Sequence, residues 1–252
     1  MQENGSIHYT AENKIGTIEF YHPKGNSLPG ALLRQLAETI TKAGNDKDAN
    51  VIVLKSKGEG AFCAGASFDE LVAIEDYDTG KNFFMGFALV LNAMRTCKKL
   101  IIARVHGKTV GGGIGIASAA DYTFAHTSAS IKLSELALGI GPFVVGPAVE
   151  RKVGTAAFSA MAVDARTWYD AEWACNQGIF SKTFNTTEEL DVAVNKLAEE
   201  LAGSSPEAMS ELKAVLWEGT EHWTQLLEKR AEISGRLVLS DFTKDFIKQF
   251  KS

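Results

Sequence analysis

Cysteine, basic charge and long apolar runs are all scarce in this sequence, and each shortage closes a class of function. The 252 residues hold three cysteines, Cys63, Cys97 and Cys175. An odd number without C-x-x-C or metal-ligand spacing points to free thiols in a reducing compartment, not to a disulfide framework. The five histidines stand far apart and form no H-x-x-x-H pair, so no metal site is expected. Lys and Arg number 26 against 31 Asp and Glu, a net charge of −5 that gives no basic footprint for nucleic acid. No run approaches the roughly 18 apolar residues that a membrane-spanning helix needs. Residues 1–14, MQENGSIHYTAENK, lack the apolar core and basic flank of a signal peptide, and cytoplasmic residence is the expectation.

What is present is enough apolar material for one sizeable core, 45% hydrophobic against 23% charged. Two glycine-bearing turns dominate the pattern: FCAGASFDEL at residues 62–71 and VGGGIGIA at residues 110–117. Each follows a short apolar run of the kind read as a buried strand, VIVL at 51–54 and LIIA at 100–103, and each precedes a helix-like stretch. A helix begun on such a turn presents backbone N–H groups with no partner inside the helix. Two turns brought together can aim two N–H groups at one oxygen, the arrangement that stabilises an oxyanion in acyl chemistry. The same glycines also serve tight turns and close packing in many proteins. The GGGIG run lacks the last glycine of G-x-G-x-x-G and no GK[ST] occurs, which argues against a phosphate cradle.

Organisation changes after about residue 185. Upstream, apolar runs alternate with glycine turns and helical patterns, as in a series of α/β units. Downstream the pattern is helical. Thr186 and Glu189 form a candidate capping box ahead of Leu190, Val194, Leu197 and Leu201. Ser205-Pro206 starts a second helix with Met209, Leu212 and Leu216 on one face, and Trp223, Leu227, Ala231 and Val238 mark a third.

Taken with HPKGNSL at 22–28, the block at 105–125, SELALGIGPFVVGPAVERKVG at 134–154 and SDFTKDFIKQF at 240–250, the two turns make the chain resemble the crotonase family, the enoyl-CoA hydratase/isomerase superfamily. The resemblance implies an α/β spiral of β-β-α repeats over residues 1–185, carrying the active site. It implies a helical region at 186–252 that drives assembly into a homotrimer or a dimer of trimers. It also implies an acyl-CoA thioester as substrate, CoA being part of that substrate and no separate cofactor being needed, and an enolate-like intermediate held by two N–H groups.

By likeness to the family's motifs, those donors are Ala66 and Gly112, with Gly65, Gly111 and Gly113 as supports. The backbone around Ala64 to Ala66, the Lys24-Gly25-Asn26 turn and Lys248 or Lys251 are implied contacts for CoA. Phe68, Leu71, Phe83, Phe84, Phe87 and Phe143 are candidates for the acyl pocket. Ser67 is expected to cap the helix from Phe68, and Asp121 to be structural. Hydratases of the family carry two glutamates, and here the sequence departs. The first position, three residues past Gly112, is Gly115, which the resemblance leaves, with Gly111, as a substrate contact; the second retains Glu135. Adding water across a double bond is served by two carboxylates, whereas shifting a double bond needs one base. A single-glutamate chain therefore resembles the Δ3,Δ2-enoyl-CoA isomerases. A hydratase or related lyase with another acid, drawn for example from the segment of Glu75, Asp76 and Asp78, and a non-catalytic acyl-CoA-binding protein stay open beside it.

Overall fold

Four times along the chain a strand in one sheet is followed by a short extended segment in a second sheet and then by a helix. The computed structural model describes residues 5–251, the side chains of 250 and 251 excepted. The first turn of the path runs from β2 (Lys14–Tyr21) through Leu28 to α1 (Gly30–Asn45), after β1 (Ser6–Glu12) has paired antiparallel with β2. The second runs from β3 (Ala49–Ser56) through residues 63–66 to α2 (Phe68–Val72) and α3 (Tyr77–Thr96). The third links β4 (Ile101–Val105), β5 (Thr109–Val110) and α4 (Gly112–Ala119); the fourth links β6 (Tyr122–His126), β7 (Ser130–Lys132) and α5 (Gly146–Val163). The strands β8 (Tyr169–Asp170) and β9 (Lys182–Phe184) flank α6 (Ala171–Asn176).

The large sheet has the order β1-β2-β3-β4-β6-β9 and is parallel from β2 onward. The small one is β5-β7-β8, widened by the parallel bridges Leu28 to Ala66 and Cys63 to Thr109. This is the spiral that the resemblance implies. Its repeat lies in the path and not in the residues, which is why no sequence repeat betrays it.

Both faces of the large sheet are covered. Ile52 and Leu54 of β3 join the main core with Ile101, Ala103 and Val105, while Val51 and Val53 turn the other way to meet Ile102, Phe124 and Leu190. Alternation along a strand puts neighbours on opposite faces, so a continuous apolar run is what a doubly covered strand requires.

The helices beyond residue 185 are α7 (Thr187–Ala202), α8 (Pro206–Leu216), α9 (Trp223–Leu237) and α10 (Asp241–Lys251). Helix α7 lays Leu190, Val194 and Ala198 on the sheet, so it covers the face of the spiral's large sheet that points away from the main core. Thr186 caps it by accepting from Glu189 N, but the Glu189 carboxylate accepts from Asn185 N, so the capping box closes one residue early. Ser205 caps α8 as expected. The stripe on α8 is only partly buried: Met209 is covered, whereas Leu212 and Leu216 are exposed. On α9, Trp223, Leu227 and Ala231 are buried, as is Val238 just after it. Asp121 is structural in full, accepting from Lys213 Nζ at 2.6 Å, Trp217 Nε1 at 3.2 Å and Ile101 N at 2.7 Å. The three thiols are free, and burial pushes that of Cys63 up to about 12.

Candidate active site

The two glycine turns are zipped side by side. Val110 N donates to Cys63 O at 2.9 Å and Cys63 N to Lys108 O at 3.3 Å. Gly65 (φ +91) and Gly111 (φ +51) then each turn the chain through the left-handed region, which a side chain would strain. The point where a Gly65 Cβ would stand is 3.2 Å from Val110 O and 4.0 Å from Gly112 N, so the turns are in contact. The residues that follow, Ala66 and Gly112, have N–H groups that reach no backbone carbonyl among the described residues. For Gly112 this is the ordinary state of a first helical residue, since α4 begins there. Ser67 holds the other turn by accepting from Glu70 N at the start of α2.

Glu135 faces this pair from the loop after β7. Its carbonyl accepts from Leu138 N at 3.1 Å and Ile140 N at 3.0 Å, which fixes its backbone at the head of a short 3-10 turn, Leu136–Leu138. Oε1 lies 2.8 Å from the point where a Gly111 Cβ would stand. Oε2 is sealed from solvent and has no hydrogen-bond partner among the described residues. Burial raises the carboxyl to about 7, against a smaller opposing pull from its own backbone N–H. A group that titrates near neutrality can take a proton and give it back. Around it is a cavity of about 680 Å³, lined by Phe68, Leu71, Phe83, Phe84, Phe87 and Phe143 together with Ala64, Gly65, Ala66, Gly111 and Gly112. A carboxylate that can hold a proton, two unpartnered N–H groups and an apolar chamber beside them are the parts needed to move a proton next to a carbonyl.

The family model described as enoyl-CoA hydratase/isomerase matches residues 10–249. The chain belongs to this family. A carnitinyl-CoA dehydratase of Proteus mirabilis (strain HI4320) is 29% identical over 211 residues, covering 83% of this chain and 79% of the relative. A peroxisomal Delta(3,5)-Delta(2,4)-dienoyl-CoA isomerase of Arabidopsis thaliana is 28% identical over 232 residues, covering 86% and 82%. The solved structure of an enoyl-CoA hydratase from Bacillus halodurans has a TM-score of 0.89 over 96% of this chain and 99% of that one, at 20% identity, and speaks for the fold. The protein is thus an acyl-CoA enzyme of the enoyl-CoA hydratase/isomerase family.

Against that family background, several residues stand elsewhere than the sequence suggested. Gly115 does not line the cavity: a Cβ there would lie 2.7 Å from Val145 Cγ1 and 2.9 Å from Val145 Cβ, so Val145 fills the space of a side chain. Lys24 is not among the lining residues either, because its ammonium is paired with the Asp69 carboxylate on α2. Its turn does reach the site through Ala64 N, which donates to Gly25 O at 3.1 Å. Lys248 pairs with Asp245 at 2.8 Å, and the side chain of Lys251 lies outside the described residues. Glu75, Asp76 and Asp78 do not line the cavity, and Asp76 is occupied as the cap of α3. Among the described residues that do, Glu135 is the only acid.

Phe87, a candidate for the acyl pocket, lies over Gly112 so closely that a Cβ there would stand 2.1 Å from its ring. Lys132 and Arg166, which also line the cavity, escaped the sequence reading. Alternation along β7 carries the signal for the first: Ile131 and Leu133 are buried in the core, so Lys132 and Ser134 take the other face. Arg166 sits in an irregular stretch between α5 and β8, where no periodicity marks a direction.

Proposed function

We propose that the protein shifts the double bond of a 3-enoyl-CoA to the 2-position, with Glu135 as the one base. The thioester oxygen lies between the N–H groups of Ala66 and Gly112. Glu135 removes a proton from C2; the electron pair delocalises through the carbonyl and the C3=C4 bond, giving a dienolate whose charge rests on the thioester oxygen. The protonated Glu135 then returns the proton at C4, leaving the C2=C3 bond conjugated with the carbonyl. No water, second acid or external electron carrier enters the balance. Each oxyanion donor contributes on the order of 2.7–4 kcal/mol to the barrier in enzymes where one has been removed.

The observation that carries this reading is the pairing of Gly115 with Val145. The position where hydratases of the family carry their other carboxylate is closed by an apolar side chain, and Glu135 is left as the single acid among the described lining residues. A carboxyl near 7 suits a group that must be base and acid in turn. A hydratase would need a second group to orient and deprotonate water, and the relatives' names, dehydratase and isomerase at near-equal identity, favour neither reaction. For a non-catalytic binding protein, a carboxylate oxygen sealed from solvent with no partner among the described residues is a cost with no return. Exposed Leu212, Leu216 and Phe242 on α8 and α10 fit the expected homotrimer or dimer of trimers, with sedimentation as its check.

The test follows two reactions on purified protein: conjugation of a 3-enoyl-CoA and hydration of the matching 2-enoyl-CoA. Isomerisation faster by well over tenfold is expected. Hydration as the faster reaction overturns the proposal.

A further inference from the structure

Lys132 and Arg166 line the cavity, and Lys108 gathers with Lys132 at the Trp168 ring: Lys108 Nζ and Lys132 Nζ stand 5.2 Å and 5.4 Å from its centre. Among the described residues none of the three pairs with a carboxylate. They stand in a chain whose net charge is −5. The ring holds the two lysines by cation–π attraction and leaves their hydrogen-bond donors free. Apart from these cations and Glu135, the wall of the chamber is largely apolar. An alkyl chain lying along it would strip water from charged groups and return no hydrogen bond. A carboxylate would return several, with Arg166 able to bind it through two parallel N–H groups.

The order of the small sheet says which part of a substrate meets Lys132. Across the sheet run the Lys24-Gly25-Asn26 turn against Ala64, then Leu28 beside Ala66, Cys63 beside Thr109, Val110 beside Lys132, and Ile131 beside Tyr169. The turn suggested for CoA is thus at one end, the oxyanion pair in the middle, and Lys132 with Trp168 at the other. Glu135 follows β7 and stands on the cation side, and a base for C2 belongs to the acyl side of the thioester. Lys132 and its Trp168 partner thus lie on the acyl side of the thioester.

From this juxtaposition we infer that the enzyme takes acyl-CoA substrates whose acyl group ends in a carboxylate, with Lys132 and Arg166 as the residues that select it. The inference rests on the acyl-CoA reading of the site given above.

Saturated thioesters test it without any reaction. Calorimetric affinities are measured for glutaryl-CoA against pentanoyl-CoA, adipoyl-CoA against hexanoyl-CoA, and CoA alone, with wild type, Lys132→Met and Arg166→Met. In wild type, at least one dicarboxylic member is expected to bind about tenfold tighter than its partner, about 1.4 kcal/mol. In both variants the ratio falls toward one, and in wild type it shrinks as salt is raised. A wild-type ratio of one or less in both pairs overturns the inference. So does a ratio that survives both substitutions. An equal loss across both pairs and CoA alone also overturns it, and gives the cations to a CoA phosphate instead. These thioesters have no double bond, so the inference can fail while 3-enoyl-CoA is still isomerised, and can hold where it is not.

Discussion

Glu135 and Gly111 are in contact: Oε1 stands 2.8 Å from where a Gly111 Cβ would be. The turn that frees the Gly112 N–H is therefore also the surface on which the carboxylate rests. In the proposed reaction, base and oxyanion donor share one wall, which would fix the distance between the oxygen that gains charge and the carbon that loses its proton. Such shared support keeps a constellation within the tolerance that catalysis demands.

Replacing Glu135 by Gln keeps the shape and removes the proton acceptor. Turnover of a 3-enoyl-CoA should fall by at least about 10²-fold, the lower end of what a positioned base contributes, while the affinity for a saturated acyl-CoA stays within a small factor. Calorimetry and the conjugation assay on the same preparation separate the two. Retention of a near-wild-type rate would remove Glu135 as the base.

The pH dependence has a definite sign. The Glu135 carboxyl is raised from its ordinary 4.5 to about 7, so the base is protonated below that value and kcat/KM should rise with pH through a midpoint near 7. Stability runs the other way. Between about 4.5 and 7 the folded state holds a proton that the unfolded chain has released, so folding weakens as pH rises, by up to about 3 kcal/mol. Urea denaturation of wild type and Glu135→Gln at pH 5 and at pH 8 should show the variant gaining relative stability at the higher pH. A constant difference across that range contradicts the raised value.

Asp121 and Lys213 make a buried pair at 2.6 Å, with side chains 7% and 3% exposed. Asp121→Asn leaves the ammonium of α8 without its counter-charge, and breaking a buried pair costs about 3–5 kcal/mol. Asp121→Asn/Lys213→Met should recover part of that loss, so the double-mutant cycle closes with a large coupling energy. Activity per folded molecule should change little, because neither residue lines the cavity. Additive losses in the cycle would show that the pair is not coupled.

The glycine turns and Ser67 as a cap were legible in the sequence because each is a local pattern with a local physical cause, whereas Glu135 was singled out only by likeness to the family's motif. The turns need left-handed φ at Gly65 and Gly111, and only certain residue types supply it. Partners across the spiral were not legible. Val145 against Gly115, Phe87 over Gly112, Lys132 at the Trp168 ring, and Lys132 and Arg166 on one cavity are separated by tens of residues, and no periodicity says which element will be opposite. Likewise the stripe on α7 announced a buried face without saying that the large sheet would cover it. Nor did anything local to the Lys24-Gly25-Asn26 turn, implied as a CoA contact, announce that Asp69 would pair with Lys24.

The contact between Val145 and Gly115 changes what a second carboxylate would require. Gly115→Glu alone should not create a hydratase, because its Cβ would stand 2.7 Å from Val145 Cγ1 and 2.9 Å from Val145 Cβ, a β-branched side chain with little freedom to turn aside. Overpacking of this kind costs about 1–3 kcal/mol, so the single variant should be less stable and slower at isomerisation. Gly115→Glu with Val145→Ala opens the space and lets the new carboxylate reach the chamber beside Glu135. Hydration of a short 2-enoyl-CoA should then rise above the wild-type background in the double variant and not in either single one. If Gly115→Glu alone hydrates as well as the double variant, Val145 is not what keeps this site to one base.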